Sequence, residues 1–276
     1  MGEQSNDKTG CRMMRGAVGT CAGDPASGLH ERETELAALS ASLDAARSGA
    51  GGLVLLEGPA GIGKSRLLAE ARAAADARGM AVLAARGIDL ERDAPFGTVS
   101  DLLAGAVGGA SATGRVRLLS GQATHAAALF DSSAVPPPAD PSAMVRGLYW
   151  LTVNLAAAYR EDGPGGLLIQ VDDAQWADRP SLSYLAYLAA RIDELPAVLM
   201  VAVRSGERAT DQRAIDWLRE RTGRALLRPR ALSPEGVARM ARAELPAADP
   251  AFTRACAEVS GGNPFLATEL LRALHA

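Results

Sequence analysis

The sequence predicts an α/β fold, in which helices cover both faces of a parallel sheet, followed by a small segment made only of helices. Short apolar runs alternate along the chain with longer amphipathic stretches, which is the pattern of parallel strands joined by helical crossovers. A glycine-rich loop joins the first apolar run to the next helix, and only helical patterns follow residue 233. Aromatic residues make up only 4% of the chain, which favours helices over an all-β fold.

The predicted elements begin near residue 29. A helix is predicted at 31–48, where leucines and an alanine recur on one helical face. The apolar run 53–56 is typical of a buried parallel strand, and the alanine- and leucine-rich stretch 66–78 predicts a helix that Gly79 ends. Further strands are predicted at 80–85, 166–171, 197–203 and 225–228. Further helices are predicted at 95–107, 115–130, 142–160, 181–192, 211–221, 234–244, 250–259 and 264–274.

Changes in composition divide the chain into three predicted segments. Residues 1–28 are rich in glycine, serine and aspartate and lack periodicity, so we expect disorder there. Residues 29–232 alternate between strand and helix patterns and form the predicted core, whereas residues 233–276 form a small helical subdomain. The prolines between 134 and 141 indicate a surface connection within the core.

Residues 58–65 read Gly-Pro-Ala-Gly-Ile-Gly-Lys-Ser and match the phosphate-binding loop pattern G-x-x-x-x-G-K-[ST] at every position. The glycines let backbone N–H groups surround phosphates, and the following helix adds positive potential at its N-terminus. Lys64 would reach the β- and γ-phosphates, and the Ser65 hydroxyl would coordinate Mg²⁺. The residues predicted to bind nucleotide here are Gly58, Pro59, Ala60, Gly61, Ile62, Gly63, Lys64, Ser65 and Arg66.

The third predicted strand ends in two successive acids, Asp172 and Asp173. An apolar strand that ends in acid is the Walker B pattern, because the carboxyl edge of a parallel sheet is where ligands gather. Asp172 is therefore predicted to hold Mg²⁺ together with Ser65, and Asp173 to orient or deprotonate the attacking water. A solvated acidic turn is the alternative to both roles.

The fourth predicted strand ends in Arg204. A polar residue at this strand end lies near the γ-phosphate in P-loop ATPases that have an additional strand, so Arg204 is predicted to sense or stabilise γ-phosphate charge. Lys64, Asp173 and Arg204 are thus the predicted catalytic residues. A surface arginine is the alternative for Arg204, and the sequence does not identify an arginine finger.

Three further stretches are similar to motifs of one family. Residues 171–178 read Val-Asp-Asp-Ala-Gln-Trp-Ala-Asp, residues 29–36 read Leu-His-Glu-Arg-Glu-Thr-Glu-Leu, and residues 260–266 read Ser-Gly-Gly-Asn-Pro-Phe-Leu. They resemble, in turn, the DDxxWxD Walker B region, the G-R-E-x-E-L N-terminal motif and the GNPF lid motif of the large ATP-binding regulators of the LuxR family. Related signal-transduction ATPases with numerous domains (the STAND class) share the DDxxWxD form, and the resemblance covers residues 29–276.

The resemblance implies an AAA-like, origin-recognition-type ATPase. Its fold would be a three-layer αβα P-loop NTPase, with a parallel five-stranded sheet in the order 5-1-4-3-2 and a small C-terminal helical lid. It also implies that Pro264 contacts the base region of the nucleotide and that Arg32 and Glu33 border the adenine pocket. Glu31 departs from the family pattern, which has glycine there. The implied cofactors are ATP and Mg²⁺, and the implied activity is slow ATP hydrolysis in a nucleotide switch that can self-associate through its core.

Family members continue into a winged-helix segment, helical repeats and a C-terminal helix-turn-helix, whereas this sequence stops at Ala276. DNA binding is therefore expected only of a longer parent protein. The net charge of −3 and the lack of a long basic stripe also disfavour nucleic-acid binding by this segment. We predict neither a signal peptide nor a membrane span, and the three cysteines match no zinc spacing, so the expected location is the cytoplasm.

Two other functions remain open. The chain would be a non-hydrolysing ATP- or ADP-binding interaction module if Asp173, a shorter side chain than the glutamate common in AAA proteins, holds water poorly. It would be a small-molecule phosphotransferase if the P-loop serves a kinase, although the long separation between Lys64 and Asp172 and the helical C-terminus favour the ATPase class.

Overall fold

A computed structural model describes residues 28–130, 140–161 and 165–275. Disorder was predicted for residues 1–28, all of which except residue 28 lie outside the described residues, and so does most of the proline-rich connection predicted at 134–141.

Five strands form one sheet in which every neighbouring pair is parallel. The strands are β1 (Gly52–Gly58), β2 (Ala81–Arg86), β3 (Leu167–Asp172), β4 (Ala197–Arg204) and β5 (Leu226–Leu227). Their spatial order is β2-β3-β4-β1-β5, so the predicted order 5-1-4-3-2 is confirmed. The strand that precedes the phosphate-binding loop therefore lies inside the sheet, between β4 and β5.

Ten α-helices precede, connect or follow the strands in the described part of the chain. They are α1 (Glu33–Arg47), α2 (Lys64–Ala77), α3 (Gly97–Gly108), α4 (Ala112–Leu118), α5 (Pro141–Glu161), α6 (Arg179–Ala189), α7 (Gln212–Thr222), α8 (Pro234–Glu244), α9 (Pro250–Ser260) and α10 (Pro264–His275). The helix predicted at 115–130 is instead two pieces, α4 and a 3-10 helix at Gly121–Leu129. The chain turns between them at Gly121, whose φ of 62° is a left-handed value that glycine adopts readily.

Helices cover both faces of the sheet because successive strand residues point to opposite sides. In β1, Leu53 and Leu55 pack into a core with α3, α5 and α6, whereas Val54 and Leu56 pack against α1 and α2. The strands β3 and β4 alternate in the same way, and all three are buried along their length. The predicted three-layer αβα architecture is therefore present.

The strand register brings four strand ends to one edge of the sheet. Gly58 at the end of β1 is level with Arg204 at the end of β4, and Arg86 at the end of β2 is level with Asp172 at the end of β3. Residues that are far apart in the sequence therefore meet at the carboxyl edge, where parallel sheets place their ligands.

The helices α8, α9 and α10, called the C-terminal helices below, have a hydrophobic core of their own. It contains Val237, Met240, Cys256, Ala267 and Leu271. This core forms a cluster separate from the two that flank the sheet. Across the described ranges, no helix is both long and apolar enough to cross a membrane.

Candidate nucleotide-binding site

The loop between β1 and α2 has the backbone conformation that the glycine pattern predicts. Gly61 and Gly63 have φ values of 76° and 103°, in the left-handed region that side chains disfavour. Gly63 is the N-cap of α2, so the first turn of the helix opens directly onto the loop. The strand, loop and helix that a phosphate-binding loop requires are therefore all present.

Lys64 is buried within this loop, with only 5% of its surface exposed. Its Nζ donates hydrogen bonds to the carbonyl oxygens of Gly58 and Pro59, at 2.8 and 2.9 Å. Burial lowers the pKa of the Lys64 ammonium, and the nearby Asp173 and Asp172 carboxylates act in the opposite direction. The ammonium is thus a cation already removed from water, which strengthens its attraction for phosphate.

Ser65 and Asp172 lie together, although 107 positions separate them in the chain. The Ser65 hydroxyl donates to the Asp172 carboxylate at 2.6 Å, and the second oxygen of Asp172 accepts from the backbone N–H of Asp173. One hydroxyl and one carboxylate fit a Mg²⁺ ion, which takes few protein ligands and shares its remaining positions with water and phosphate oxygens. The described residues contain no group of three or more histidine, cysteine or acidic side chains that would hold a metal without a nucleotide.

The Asp173 side chain accepts hydrogen bonds from two arginines. Its carboxylate accepts hydrogen bonds from Arg204 Nε and Nη2, from Arg86 Nε and Nη2, and from Gln175 Nε2, at 2.6 to 3.3 Å. Asp173 has a φ of 48°, which an aspartate tolerates better than most residues, and is 3% exposed. The two guanidinium groups thus converge on a single buried carboxylate.

The ionisation of Asp173 follows from these contacts. Burial raises the pKa of the carboxyl, but the hydrogen bonds from Arg204, Arg86 and Gln175 outweigh it and hold the pKa below its usual value. A carboxylate with a lowered pKa and fully engaged oxygens is a weak proton acceptor. For this carboxylate to take a proton from water, at least one arginine would first have to move away.

The remainder of the 171–178 stretch supports this arrangement. Gln175 accepts a hydrogen bond from the backbone N–H of Arg204 at 3.0 Å, and the Trp176 ring lies 4.2 Å from the Arg204 guanidinium carbon. Asp178 caps α6 and also accepts from the backbone N–H groups of Phe96 and Thr98 at the start of α3. Trp176 and Asp178 therefore act as structural supports, and Trp176 orients Arg204.

A cavity of about 760 Å³ extends from the phosphate-binding loop to the C-terminal helices. At its polar end lie Lys64, Ser65, Arg86, Asp173 and Arg204. Its other end is largely apolar and is formed by Leu29, Leu232, Met240, Pro264, Phe265 and Leu266, together with the ring of His30. A polar end with cationic groups and an apolar end match the phosphates and the base of a nucleotide.

The C-terminal helices contact the phosphate-binding loop directly. Asn263 Nδ2 donates to the carbonyl oxygen of Ala60 at 2.9 Å, and the backbone N–H of Phe265 donates to Gly61 at 3.2 Å. A Cβ atom at residue 61 would lie 2.7 Å from Asn263 Oδ1 and 2.8 Å from Phe265 Cβ. Gly61 is therefore required for this close approach as well as for its own backbone conformation.

Most of the predicted site residues meet in this cavity. Its lining includes Ala60, Gly61, Ile62, Gly63, Lys64, Ser65, Arg66, Asp173, Arg204 and Pro264. Gly58 and Pro59 turn their carbonyl oxygens to Lys64, and Asp172 contacts Ser65.

The sequence prediction missed Arg86, Gln175 and Asn263 as site residues. Arg86 lies at the end of an outer strand that has no motif of its own. The following Gly87 lies close to Asp173, since a Cβ there would lie 2.4 Å from the Asp173 carbonyl oxygen, but this closeness is visible only in the folded chain. Asn263 and Gln175 stand inside the quoted family motifs, but their hydrogen bonds become visible only in the folded chain.

Comparison with solved structures agrees with this architecture. ORC1 of Aeropyrum pernix, solved in complex with DNA, matches with a TM-score of 0.55 at 18% identity, over 90% of this chain and 60% of that one. Cdc6p of Pyrobaculum aerophilum matches with a TM-score of 0.55 at 15% identity, over 89% and 61%. A Walker-type ATPase of Pyrococcus abyssi matches with a TM-score of 0.54 at 15% identity, over 90% and 68%. At these identities the likeness concerns the fold alone, and the chain spans only 60% and 61% of the first two proteins.

Sequence comparison identifies the family. No curated protein sequence matches the chain significantly. Residues 29–201, which are more than half of the chain, match the AAA ATPase domain, and this range contains the phosphate-binding loop, Asp172 and Asp173. The chain therefore belongs to the AAA ATPase domain family.

Proposed function

We propose that the chain is an ATP-binding switch module that hydrolyses ATP slowly, with residues 29–232 as the ATPase core and residues 233–276 as its lid. The observation that carries this proposal is the single cavity that joins the phosphate-binding loop to the C-terminal helices. A nucleotide in this cavity would touch both parts of the chain at once. Its phosphate state could then change how the two parts are held together.

Each site residue has a role in this proposal. Backbone N–H groups of residues 58–66 and the Lys64 ammonium bind the phosphates, while Pro264 contacts the base region. Bound Mg²⁺, held by Ser65 and Asp172, would neutralise phosphate charge. Arg204 senses the γ-phosphate, and Asp173 orients the water whose attack on the γ-phosphorus releases ADP and phosphate.

The arginine pair on Asp173 accounts for the proposed slow rate. Before Asp173 can accept a proton, at least one of Arg86 and Arg204 must leave its carboxylate. The γ-phosphate, which carries more charge than a carboxylate, is a suitable new partner for Arg204. Loss of that phosphate would return Arg204 to Asp173 and relax the lid.

We also propose that the chain is part of a transcriptional regulator. The motifs at 29–36, 171–178 and 260–266 support a role as the ATPase part of a LuxR-family-like or STAND-type transcriptional regulator in the cytoplasm. The core would self-associate, and DNA binding would belong to a longer parent protein.

The proposal is tested by calorimetry with Mg-ATP and Mg-ADP, with phosphate release followed in parallel. Lys64→Ala should weaken the binding of both nucleotides by roughly a hundredfold, since it removes a buried charge-assisted contact with phosphate. Arg47→Ala, an exposed change at the end of α1, is the control and should bind as the wild type does. Unchanged affinity in Lys64→Ala would overturn the proposal.

The engaged carboxylate of Asp173 favours one alternative, a module that binds nucleotide without hydrolysing it. Five hydrogen bonds from Arg86, Arg204 and Gln175 leave Asp173 little capacity to act as a base. In that case, the same experiment would show tight ADP and ATP binding with no phosphate release.

A further inference from the structure

Glu31 has a backbone conformation that glycine would adopt more readily. Its φ is 56°, one of three positive values among the described non-glycine residues. In the pattern G-R-E-x-E-L, which residues 29–36 resemble, glycine stands at this position. A glutamate here carries a conformational penalty that glycine would avoid, so contacts of its side chain must compensate.

Those contacts are with α8 and its N-cap. The Glu31 carboxylate accepts hydrogen bonds from the backbone N–H of Ser233 at 2.8 Å and from its hydroxyl at 2.5 Å. It also accepts from Arg239 Nη2 at 2.8 Å. Ser233 is the N-cap of α8, so a carboxylate of the core lies at the positive end of a lid helix. The Ser233 hydrogen bonds lower the pKa of Glu31, with a smaller contribution from Arg239.

The lid has a matching space for this carboxylate. Gly236 is buried in the first turn of α8, and a Cβ atom there would lie 2.6 Å from Glu31 Oε1. Any larger residue at 236 would displace the carboxylate. The glycine expected at position 31 is thus a glutamate, and a glycine across the interface makes room for it.

Arg32 extends the contact to the phosphate-binding loop. It is 3% exposed, and its Nη2 donates to the carbonyl oxygens of Ile62 and Arg230, at 3.2 and 2.7 Å. Arg230 belongs to the segment between β5 and α8. Two adjacent residues of opposite charge therefore join the loop, the connecting segment and the lid.

We propose that Glu31 is a positioning residue that holds α8 over the apolar end of the cavity and thereby slows nucleotide release. The inference rests on the proposed nucleotide binding. Leu29, His30 and Arg32 line the cavity on one side of this contact, while Leu232 and Met240 line it on the other. A bound base would contact both sides, so separation of the two sides would release it, and separation breaks the hydrogen bonds of Glu31.

The test is the dissociation rate of a fluorescent ADP analogue, measured by chasing it with excess ADP. In Glu31→Gln, dissociation should be roughly tenfold faster, because a charge-assisted cap is replaced by a neutral one. The association rate should change little. Glu235→Gln is the matched control: it removes the same charge beside the same helix end, but Glu235 belongs to α8 itself and its side chain is exposed. Equal dissociation rates in the wild type and Glu31→Gln would overturn the inference.

A double-mutant cycle tests whether the Glu31 carboxylate packs against Gly236. Gly236→Ala alone should speed dissociation, since the new methyl group displaces the Glu31 carboxylate. In a Glu31→Gly background the same change should have little further effect, because no carboxylate remains to be displaced. Additive effects of the two substitutions would contradict the proposed contact.

Hydrogen exchange in the nucleotide-free protein separates this inference from the proposed function. The backbone N–H groups of Ser233 and Gly236 should exchange faster in Glu31→Gly than in the wild type. If the wild type binds no nucleotide, the proposed function fails, and so does the retention role inferred here, whatever the exchange shows. If nucleotide binds but dissociates from Glu31→Gly as slowly as from the wild type, the inference fails alone, whatever the exchange shows.

Discussion

Two successive aspartates at the end of β3 have different neighbours and therefore different chemistry. Asp172 contacts the Ser65 hydroxyl, as the pair predicted to hold Mg²⁺ should. Asp173 contacts Arg86 and Arg204, so its charge is already shared between two cations. At this scale, the question for function is whether Asp173 activates water or mainly holds the arginines.

Asp173→Asn addresses both possibilities, because an amide neither accepts a proton from water nor pairs with two guanidinium groups. Phosphate release should fall below detection if Asp173 is the base. ATP should bind roughly fivefold more tightly, since removing a negative charge near the phosphates is worth about 1 kcal/mol or more. Calorimetry and phosphate release give the two readouts, with the exposed Asp101→Asn as the control. Hydrolysis at the wild-type rate would exclude the base role.

At the scale of elements, Glu57 ties three pieces of the fold together. It is the second-last residue of β1 and is 8% exposed, and its carboxylate accepts from Arg219 of α7 and from Arg228 just after β5. The two-residue strand β5 has few backbone hydrogen bonds to hold it. The Glu57 cluster therefore helps to fix this edge of the sheet beside the phosphate-binding loop.

Acid should remove the contribution of Glu57 to the free energy of unfolding. Burial raises its pKa, but the hydrogen bonds from Arg219 and Arg228 outweigh this and lower the pKa from 4.5. The ionised carboxylate therefore stabilises the folded protein fully at pH values above 4.5, the ordinary pKa of the group. This stabilisation is lost as the pH falls through the lower pKa of the folded state. Glu57→Gln should unfold with about 2 kcal/mol less free energy near neutral pH, and this difference should shrink in acid.

Urea unfolding from about pH 7 to about pH 3 measures this dependence. Glu220→Gln, on the exposed side of α7, is the control. A difference between wild type and Glu57→Gln that does not depend on pH would show that the carboxylate charge is not responsible.

At the scale of the whole molecule, the cavity lies between two separately packed bodies. The sheet and its helices have two cores, and the C-terminal helices have a third. Direct contacts between them include those of Glu31, Asn263 and Phe265. A nucleotide would add contacts to both bodies and would therefore stabilise them as one unit.

ADP at about a hundred times its dissociation constant should raise the free energy of unfolding by about 2.7 kcal/mol. Thermal denaturation should show the core and the C-terminal helices unfolding in one transition, at a higher temperature than without ADP. Inorganic phosphate at the same concentration is the control and should give a smaller shift. A shift of equal size in Lys64→Ala would show that ADP binds elsewhere.

Much of the fold and the polar half of the site could be predicted because their signals are local. A buried strand is an apolar run, and the phosphate-binding loop works through backbone conformations that consecutive residues such as Gly61 and Gly63 encode. The strand order came from the family resemblance, because no local pattern states which strands are neighbours. Arg86 was missed for the same reason, since its role depends on the pairing of β2 with β3.

The sequence by itself thus determined the α/β class, the phosphate-binding loop with Lys64 and Ser65, and the acids at the end of β3. Each of these features depends on short patterns of consecutive residues. Only the tertiary structure decided that Arg86 and Arg204 share Asp173, and that Glu31 fits over Gly236 in α8. The physical reason is that a charged side chain selects its partner by distance and burial. Both are set by packing between segments that lie far apart in the chain.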